Sequence, residues 1–372
     1  MAQNVFVLSD GQDALDRLVA CVDSSAKSIV VNMFIWRDDP AGNRIGQALL
    51  GAADRGVEIT ITKDKLGAIF ELGEENRQSF FHKDYDFTTA VKQRVINAYS
   101  SKPDLMSWTI QQPNDLVERL RNHENVKIFD HIVRNDHSKF TIIDGEYLFV
   151  GGMNFEERII SRDANGRIWR DYLLECRGKQ HVMRLKERLS GGAREISDLE
   201  FVLNDHSGEH RFEIKPCVLN LLNCAKETCR IEMAYFGDAD VTAGLIDAAK
   251  RGIEVEIVVP AWANIQNERN LKTMYDIYCR TNGRASIYLS PDMLHSKMMD
   301  IDGRSILIGS ANFNRRALNQ FAELNVLMSG DSRCARDIRN AYSERRDASK
   351  KVAGPEDLNY RKIKEWCEYI FG

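Results

Sequence analysis

A chain of 372 residues can bury the core of two ordinary domains or of one duplicated domain, which excludes a disulfide-stapled miniprotein. With 51 Lys+Arg, 55 Asp+Glu, a net charge of −4 and 43% hydrophobic residues, the composition is that of a soluble globular protein, which excludes dominant disorder and argues against a long nucleic-acid groove. The apolar runs Ser28–Trp36 and Tyr147–Phe155 are strand-length, far short of the roughly 20 residues that span a bilayer. The opening Met1-Ala-Gln-Asn-Val-Phe lacks the basic and apolar regions of a signal peptide. The eight cysteines are scattered with no Cys-x-x-Cys pair, so reduced core thiols and a cytoplasmic location are expected.

In chain order, Leu15, Leu18, Val19 and Val22 recur at i, i+3, i+4 and i+7 and predict an amphipathic helix; Ser28–Trp36 follows as a buried strand. Ile45, Ala48, Leu49 and Ala52 mark a second helix that stops at Arg55-Gly56, and Val57–Ile61 alternates as a strand. The same order returns in the second half: a helix through Val218, Leu221, Leu222 and Ala225, a strand at Arg230–Tyr235, a helix at Val241–Lys250 closed by Arg251-Gly252, and a strand at Ile253–Val259. Each half therefore starts as a βαβ-like unit, predicting an α/β fold with mixed or parallel sheets covered by helices. The expected domains are a first lobe over 1–190, a linker over 191–212 rich in small and polar residues, and a second lobe over 213–372. The first lobe carries an insertion at about 64–125 with an aromatic cluster, Phe80, Phe81, Tyr85 and Phe87, and a helix at Ala90–Tyr99. The cluster either anchors the insertion to the core or walls a substrate site. A final amphipathic segment, Leu358–Phe371, is expected to dock on its own domain or to touch a membrane.

The strongest signal is His137-Ser138-Lys139, Asp144, Gly151-Gly152 and Asn154, which recurs as His295-Ser296-Lys297, Asp302, Gly309-Ser310 and Asn312. Both copies obey His-x-Lys-x4-Asp-x6-Gly-[Gly/Ser]-x-Asn, a coincidence expected in well under about one chain in a hundred. In a strand over Asp136–Asp144, His137 and Lys139 project to one face. Two such units about a pseudo-two-fold axis gather two His, two Lys and two Asn around one pocket. The lysines and amides clamp the non-bridging oxygens of a phosphodiester and leave two imidazoles for chemistry. Asp144 and Asp302 fall at strand ends, where carboxylates cap turns, and read as structural. Ser310, Gly152 and Arg315 are candidate substrate-binding positions. No spacing of ligand types marks a metal site, Lys139 and Lys297 supply the positive charge that a metal would bring, and no cofactor is expected.

This duplicated pattern resembles the HKD motif of the phospholipase D superfamily over nearly the whole chain apart from 64–125 and the C-terminal segment. The resemblance implies a sandwich of two pseudo-two-fold related mixed-sheet α/β lobes with the active site between them. It further implies a two-step reaction through a covalent phosphohistidine, with His137 as nucleophile and His295 as general acid and then base. It places Glu323 as the carboxylate behind the second histidine, and the best match for the first is Asp171 in Trp169-Arg170-Asp171-Tyr172, a segment similar to cardiolipin-synthase-like members. Glu156 and Glu157 rank lower, as residues opening a helix. Asn314 stands where many such members have Asp. The implied function is phosphatidyl transfer or phospholipase D hydrolysis on a phospholipid, with peripheral membrane contact. A nuclease or other nucleic-acid phosphodiesterase of the same superfamily is the alternative, and a non-catalytic binding member of the fold is the third reading, against which both intact histidines count.

Overall fold

The computed structural model describes residues 4–73, 79–82, 114–163, 165–205 and 211–371. Eighteen strands run in chain order as β1 (Val5–Leu8), β2 (Ser28–Met33), β3 (Glu58–Lys63), β4 (Val126–Phe129), β5 (Phe140–Ile143), β6 (Tyr147–Gly151), β7 (Trp169–Arg170), β8 (Leu173–Arg177), β9 (Leu199–Asp205), β10 (Arg211–Phe212), β11 (Thr228–Met233), β12 (Glu254–Pro260), β13 (Ser286–Ser290), β14 (Met293–Leu294), β15 (Lys297–Ile301), β16 (Ser305–Gly309), β17 (Glu323–Ser329) and β18 (Lys350–Lys351). The first lobe's sheet has the order β1-β8-β6-β5-β2-β3-β4 and the second's β10-β9-β17-β16-β15-β11-β12-β13-β18. In each, parallel pairing (β2 with β3 and β3 with β4; β11 with β12 and β12 with β13) gives way to antiparallel pairing at β5 or β15. The mixed sheets expected from the repeat are therefore present.

Strand alternation makes the layers. In β2, Ile29, Val31 and Met33 face a core roofed by the helices Gly11–Asp23 and Pro40–Asp54, while Val30 turns to the opposite face. In β11, Cys229, Ile231 and Met233 enter the equivalent core under Ile214–Cys224, Ala239–Lys250 and Asn267–Arg280. The inner faces meet: Ile142, Leu148, Val150 and Leu174 of one sheet pack with Val258, Met298, Ile306 and Ile308 of the other. The result is helix, sheet, sheet, helix, with the long apolar runs explained by burial on both faces.

Two expectations change. The strand foreseen over Asp136–Asp144 starts only at Phe140, because His137 leaves its own sheet to bond across the lobes. The stretch read as linker is not all connection: Leu199–Asp205 pairs with β17 and Arg211–Phe212 with β9, its apolar Phe201 and Val202 being buried in two cores. Phe80 and Phe81 of the insertion anchor it, Phe80 stacking on Trp36 at 5.0 Å, whereas Tyr85, Phe87 and the helix Ala90–Tyr99 lie outside the described residues. The last helix, Lys362–Phe371, docks on its own lobe: Arg269 N–H donates to Glu368 at 2.7 Å and Arg361 pairs with Glu268 at 2.8 Å. Among the described residues no helix is long and apolar enough to cross a membrane.

Candidate active site

The two motifs fold alike because their turns do. Asp144-Gly145 and Asp302-Gly303 each take positive φ (55° and 67°; 55° and 64°), the conformation of a tight hairpin turn, which Gly enters freely and Asp tolerates. The Asp144 carboxylate accepts the N–H groups of Ala26, Lys27 and Ser28, and Asp302 those of Lys226, Glu227 and Thr228. Both aspartates thus tie the hairpin to the start of the neighbouring strand, β2 or β11.

Each histidine segment then crosses to the other lobe. His137 N–H donates to Ala322 O at 2.8 Å and Ala322 N–H to Asn135 O at 2.8 Å; His295 N–H donates to Arg170 O at 2.7 Å, beside the parallel ladder of β14 and β7. The crossing fixes the partners. His137 Nδ1 lies 2.9 and 3.1 Å from the Glu323 carboxylate oxygens, and His295 Nδ1 lies 2.7 Å from Asp171 Oδ2. This corrects the expected pairing, which gave Glu323 to His295 and Asp171 to His137. Each carboxylate follows the strand that receives the opposite lobe's histidine, a relation that sequence order does not reveal.

The remaining motif residues serve these dyads. Lys139 Nζ donates to His137 O at 2.7 Å, and Lys297 Nζ donates to His295 O while lying 3.0 Å from His295 Nδ1. A Cβ on Gly152 would stand 2.5 Å from Asp171 Oδ1, and Ser310 Oγ donates to Glu323 Oε2. The second position of the Gly-[Gly/Ser] pair therefore abuts its own lobe's carboxylate, a contact that the expected substrate-binding role of Gly152 and Ser310 did not include. Asn154 Nδ2 donates to Glu156 at 3.0 Å, and the buried Oδ1 atoms of Asn154 and Asn312 have no hydrogen-bond partner among the described residues. Arg315 is exposed at the start of the short helix Arg315–Asn319, and among the described residues no hydrogen bond or ion pair carries its side chain to the site.

Burial governs the electrostatics. It pushes both imidazoles down, His295 well down with Lys297 adding to the effect. Burial also brings Lys139 to about 7 and Lys297 to about 8, and raises Asp171 to about 6. The charges of the two dyads act on one another, Lys297 on His137 and both Lys139 and His137 on His295, so the site is one field and not two. An anion entering it neutralises the cations and favours both imidazolium forms.

Sequence reading missed several supporting residues. Asn32 Nδ2 donates to Ser138 Oγ at 3.0 Å, and at the matching place in β11 Glu232 accepts from Ser296 Oγ, Tyr172 OH and Arg345. The available signal was a polar residue next to last in each strand, Asn32 in β2 and Glu232 in β11. Glu156 does not open a helix of any length: it is buried, and although burial opposes ionisation, Arg158 and Arg37 hold it well below the usual carboxylate range. Only a single 3-10 turn, Glu157–Ile159, follows. Aromatic rings wall the histidines: Phe34 lies 4.7 Å edge-on to His137 and Trp169 5.5 Å from His295. Among the described residues no group of three or more His, Cys, Asp or Glu is placed to hold a metal ion.

Comparison with known proteins gives the family and the fold. Residues 18–169 and 218–345 match the model of the family described as cardiolipin synthase, PLD-like domain. The chain is 22% identical over 356 residues to a cardiolipin synthase of Listeria innocua, covering 90% of this chain and 67% of that one. It is 23% identical over 379 residues to cardiolipin synthase 2 of Staphylococcus epidermidis, covering 94% and 69%. Against a Listeria monocytogenes cardiolipin synthase it is 22% identical, covering 86% of this chain and 64% of that one, so the chain spans about two thirds of the length of these relatives. The fold is also that of phosphatidylserine synthase from Haemophilus influenzae Rd KW20 (TM-score 0.70, 13% identity, 99% of this chain and 92% of that one) and of polyphosphate kinase from Porphyromonas gingivalis (TM-score 0.57, 14% identity, 99% and 52%). With the family model matching both halves of the chain and both motifs converging on one cleft, the chain belongs to the cardiolipin synthase PLD-like domain family.

Proposed function

We propose that this protein transfers or hydrolyses the phosphatidyl group of a phospholipid through a covalent phosphohistidine. The observation that carries the reading is the pair of imidazoles, each held at Nδ1 by a carboxylate, in one cleft with two buried lysines. With Nδ1–H directed at Glu323, the His137 Nε2 lone pair is free for attack on phosphorus. As the N–P bond forms, the P–O bond to the head-group alcohol breaks and His295 Nε2–H delivers its proton to the departing oxygen. Neutral His295 then takes the proton of an incoming water or alcohol, whose oxygen displaces His137 from phosphorus. Lys139 and Lys297 hold the non-bridging oxygens throughout.

The roles of the two histidines rest on an asymmetry. His137 Nδ1 meets a carboxylate alone, whereas His295 Nδ1 meets both Asp171 and the Lys297 ammonium, so an anion on Lys297 changes His295 more than His137. A lipid substrate at a membrane surface, in the cytoplasm, suits the net charge of −4 better than a polynucleotide does, and the relatives named as phospholipid synthases support it.

Incubation with phosphatidylglycerol vesicles and, separately, single-stranded DNA in EDTA, followed by mass spectrometry, tests the reading. New phospholipid or phosphatidic acid supports it; DNA cleavage alone overturns the substrate class. His295→Asn, given a substrate with a good leaving group, is expected to accumulate phosphorus on His137, and His137→Asn to trap none. An adduct on His295 in the unmodified protein reverses the roles.

A further inference from the structure

The first lobe ends at the cleft in an exposed apolar lip. Phe129, at the end of β4, and Ile132 and Val133, in the loop that follows, are 51, 55 and 48% exposed, a solvent display of large apolar side chains beside a backbone that is pinned. Lys65 N–H donates to Ile132 O at 3.1 Å, His82 bonds Asp130 O at 2.8 Å, and the Asp64 carboxylate accepts the N–H groups of Arg134 and Asp136 on the way to His137.

The second lobe repeats the construction. Ala261 N–H donates to Ser290 O at 2.8 Å, the counterpart of the Lys65–Ile132 bond, and beside Ala261 stands Trp262, 46% exposed. Trp262 O accepts from Arg167, two residues before the Trp169 whose ring lies 5.5 Å from His295, so Trp262 stands on the side of the second histidine, as Ile132-Val133 stand on the side of the first. An aromatic track runs inward from the first lip. Helix Lys65–Gly73 starts at the pinned Lys65 and carries Phe70, 5.7 Å from Phe34, which lies 4.7 Å from His137. Exposed Lys65 and Arg134 border the apolar dipeptide.

We infer that the Phe129–Val133 lip, with Trp262 on the side of the second histidine, is the surface by which the protein seats its cleft on an anionic phospholipid bilayer. The inference deepens the phospholipid reading proposed above and rests on it. Charge complementarity commits the occupant: apolar side chains enter the acyl boundary while Lys65 and Arg134 meet phosphate head groups, and the Phe70–Phe34 track leads an acyl-glycerol toward His137.

The test uses the full chain with Ile132→Asp/Val133→Asp, and with Ile132→Ser/Val133→Ser, which removes apolar area without adding charge. Ile196→Asp, at a 95% exposed position in the 191–212 stretch, is the control. Co-sedimentation with phosphatidylglycerol vesicles and turnover of that vesicle lipid are expected to fall about tenfold or more in both lip variants and to hold in the control. Turnover of monomeric short-chain phosphatidylglycerol is expected to stay within about twofold, because the reacting groups are untouched. Unchanged sedimentation, or an equal loss on vesicle and monomeric lipid, overturns the lip. Wild-type protein that sediments with vesicles yet processes neither lipid supports the lip and overturns the phospholipid reading instead.

Discussion

His137 Nδ1 and Glu323 Oε1, separated by 186 positions in sequence, stand 2.9 Å apart, and their mirror relation joins His295 to Asp171 at 2.7 Å. Neither lobe contains a complete histidine–carboxylate pair. A lobe expressed alone therefore holds an imidazole without its carboxylate and a carboxylate without its imidazole, so the paired chemistry belongs to the assembled sandwich.

Crossed pairing has a direct spectroscopic consequence. In protein labelled with 15N-histidine, Glu323→Gln is expected to move the His137 ring signals and Asp171→Asn those of His295. The reverse pattern restores same-lobe pairing. Each variant is expected to lower kcat by about 10²- to 10⁴-fold, the range of losing correct proton placement, with the melting temperature little changed.

The pH profile follows from burial. As pH falls through the His137 value, which lies below the ordinary 6.5, the nucleophile is protonated and kcat/KM falls. As pH rises through about 7 and about 8, Lys139 and Lys297 lose their protons and the phosphate clamp weakens. Because rising pH also removes the proton that His295 must deliver, a bell is expected, and a profile that rises monotonically from pH 5 to 9 contradicts it when chemistry limits the rate. Stability moves the other way: between about 7 and the ordinary 10.5 the unfolded chain holds more protons on Lys139 than the folded one. The contribution of Lys139 to stability therefore grows as pH rises through that window.

Asp144→Ala and Asp302→Ala are expected to cost about 1–2 kcal/mol each by leaving the strand N–H groups without their carboxylate, while kcat on the folded protein stays nearly constant. Urea titration and kinetics separate the two effects. Both carboxyls are held below the ordinary 3.8 by the N–H groups they accept, which outweigh partial burial. Their stabilisation is present above that value and disappears as pH falls through the folded values. A wild-type-like acid transition in the alanine variants refutes the assignment.

Gly152→Ala places a methyl group against Asp171. The carboxylate must withdraw from His295, so kcat is expected to fall about tenfold or more. Ser310→Ala, which removes one donor to Glu323 and adds no bulk, is expected to be milder. A Gly152→Ala enzyme more active than Ser310→Ala contradicts the close approach, and a crystal structure of the variant shows the displacement directly.

The duplicated spacing, the βαβ openings and the Asp-Gly turns were legible in the chain because each is a local constraint: side-chain periodicity, a left-handed turn, a fixed offset between His137 and Lys139. The same locality misread the strand before Phe140 and the stretch holding Leu199–Asp205, where pairing partners lie far off in sequence. It gave each histidine the carboxylate of its own half, since sequence order carries no record of which strand a segment crosses to meet. Only the face-to-face packing of the two sheets brings Ala322 beside His137 and Arg170 beside His295. Burial between those sheets then lowers the lysines and imidazoles toward neutral pH. Residue types and spacing determined the chemistry available to this protein; tertiary structure decided the partners and their protonation, because hydrogen bonds between lobes and loss of water depend on the assembled interior.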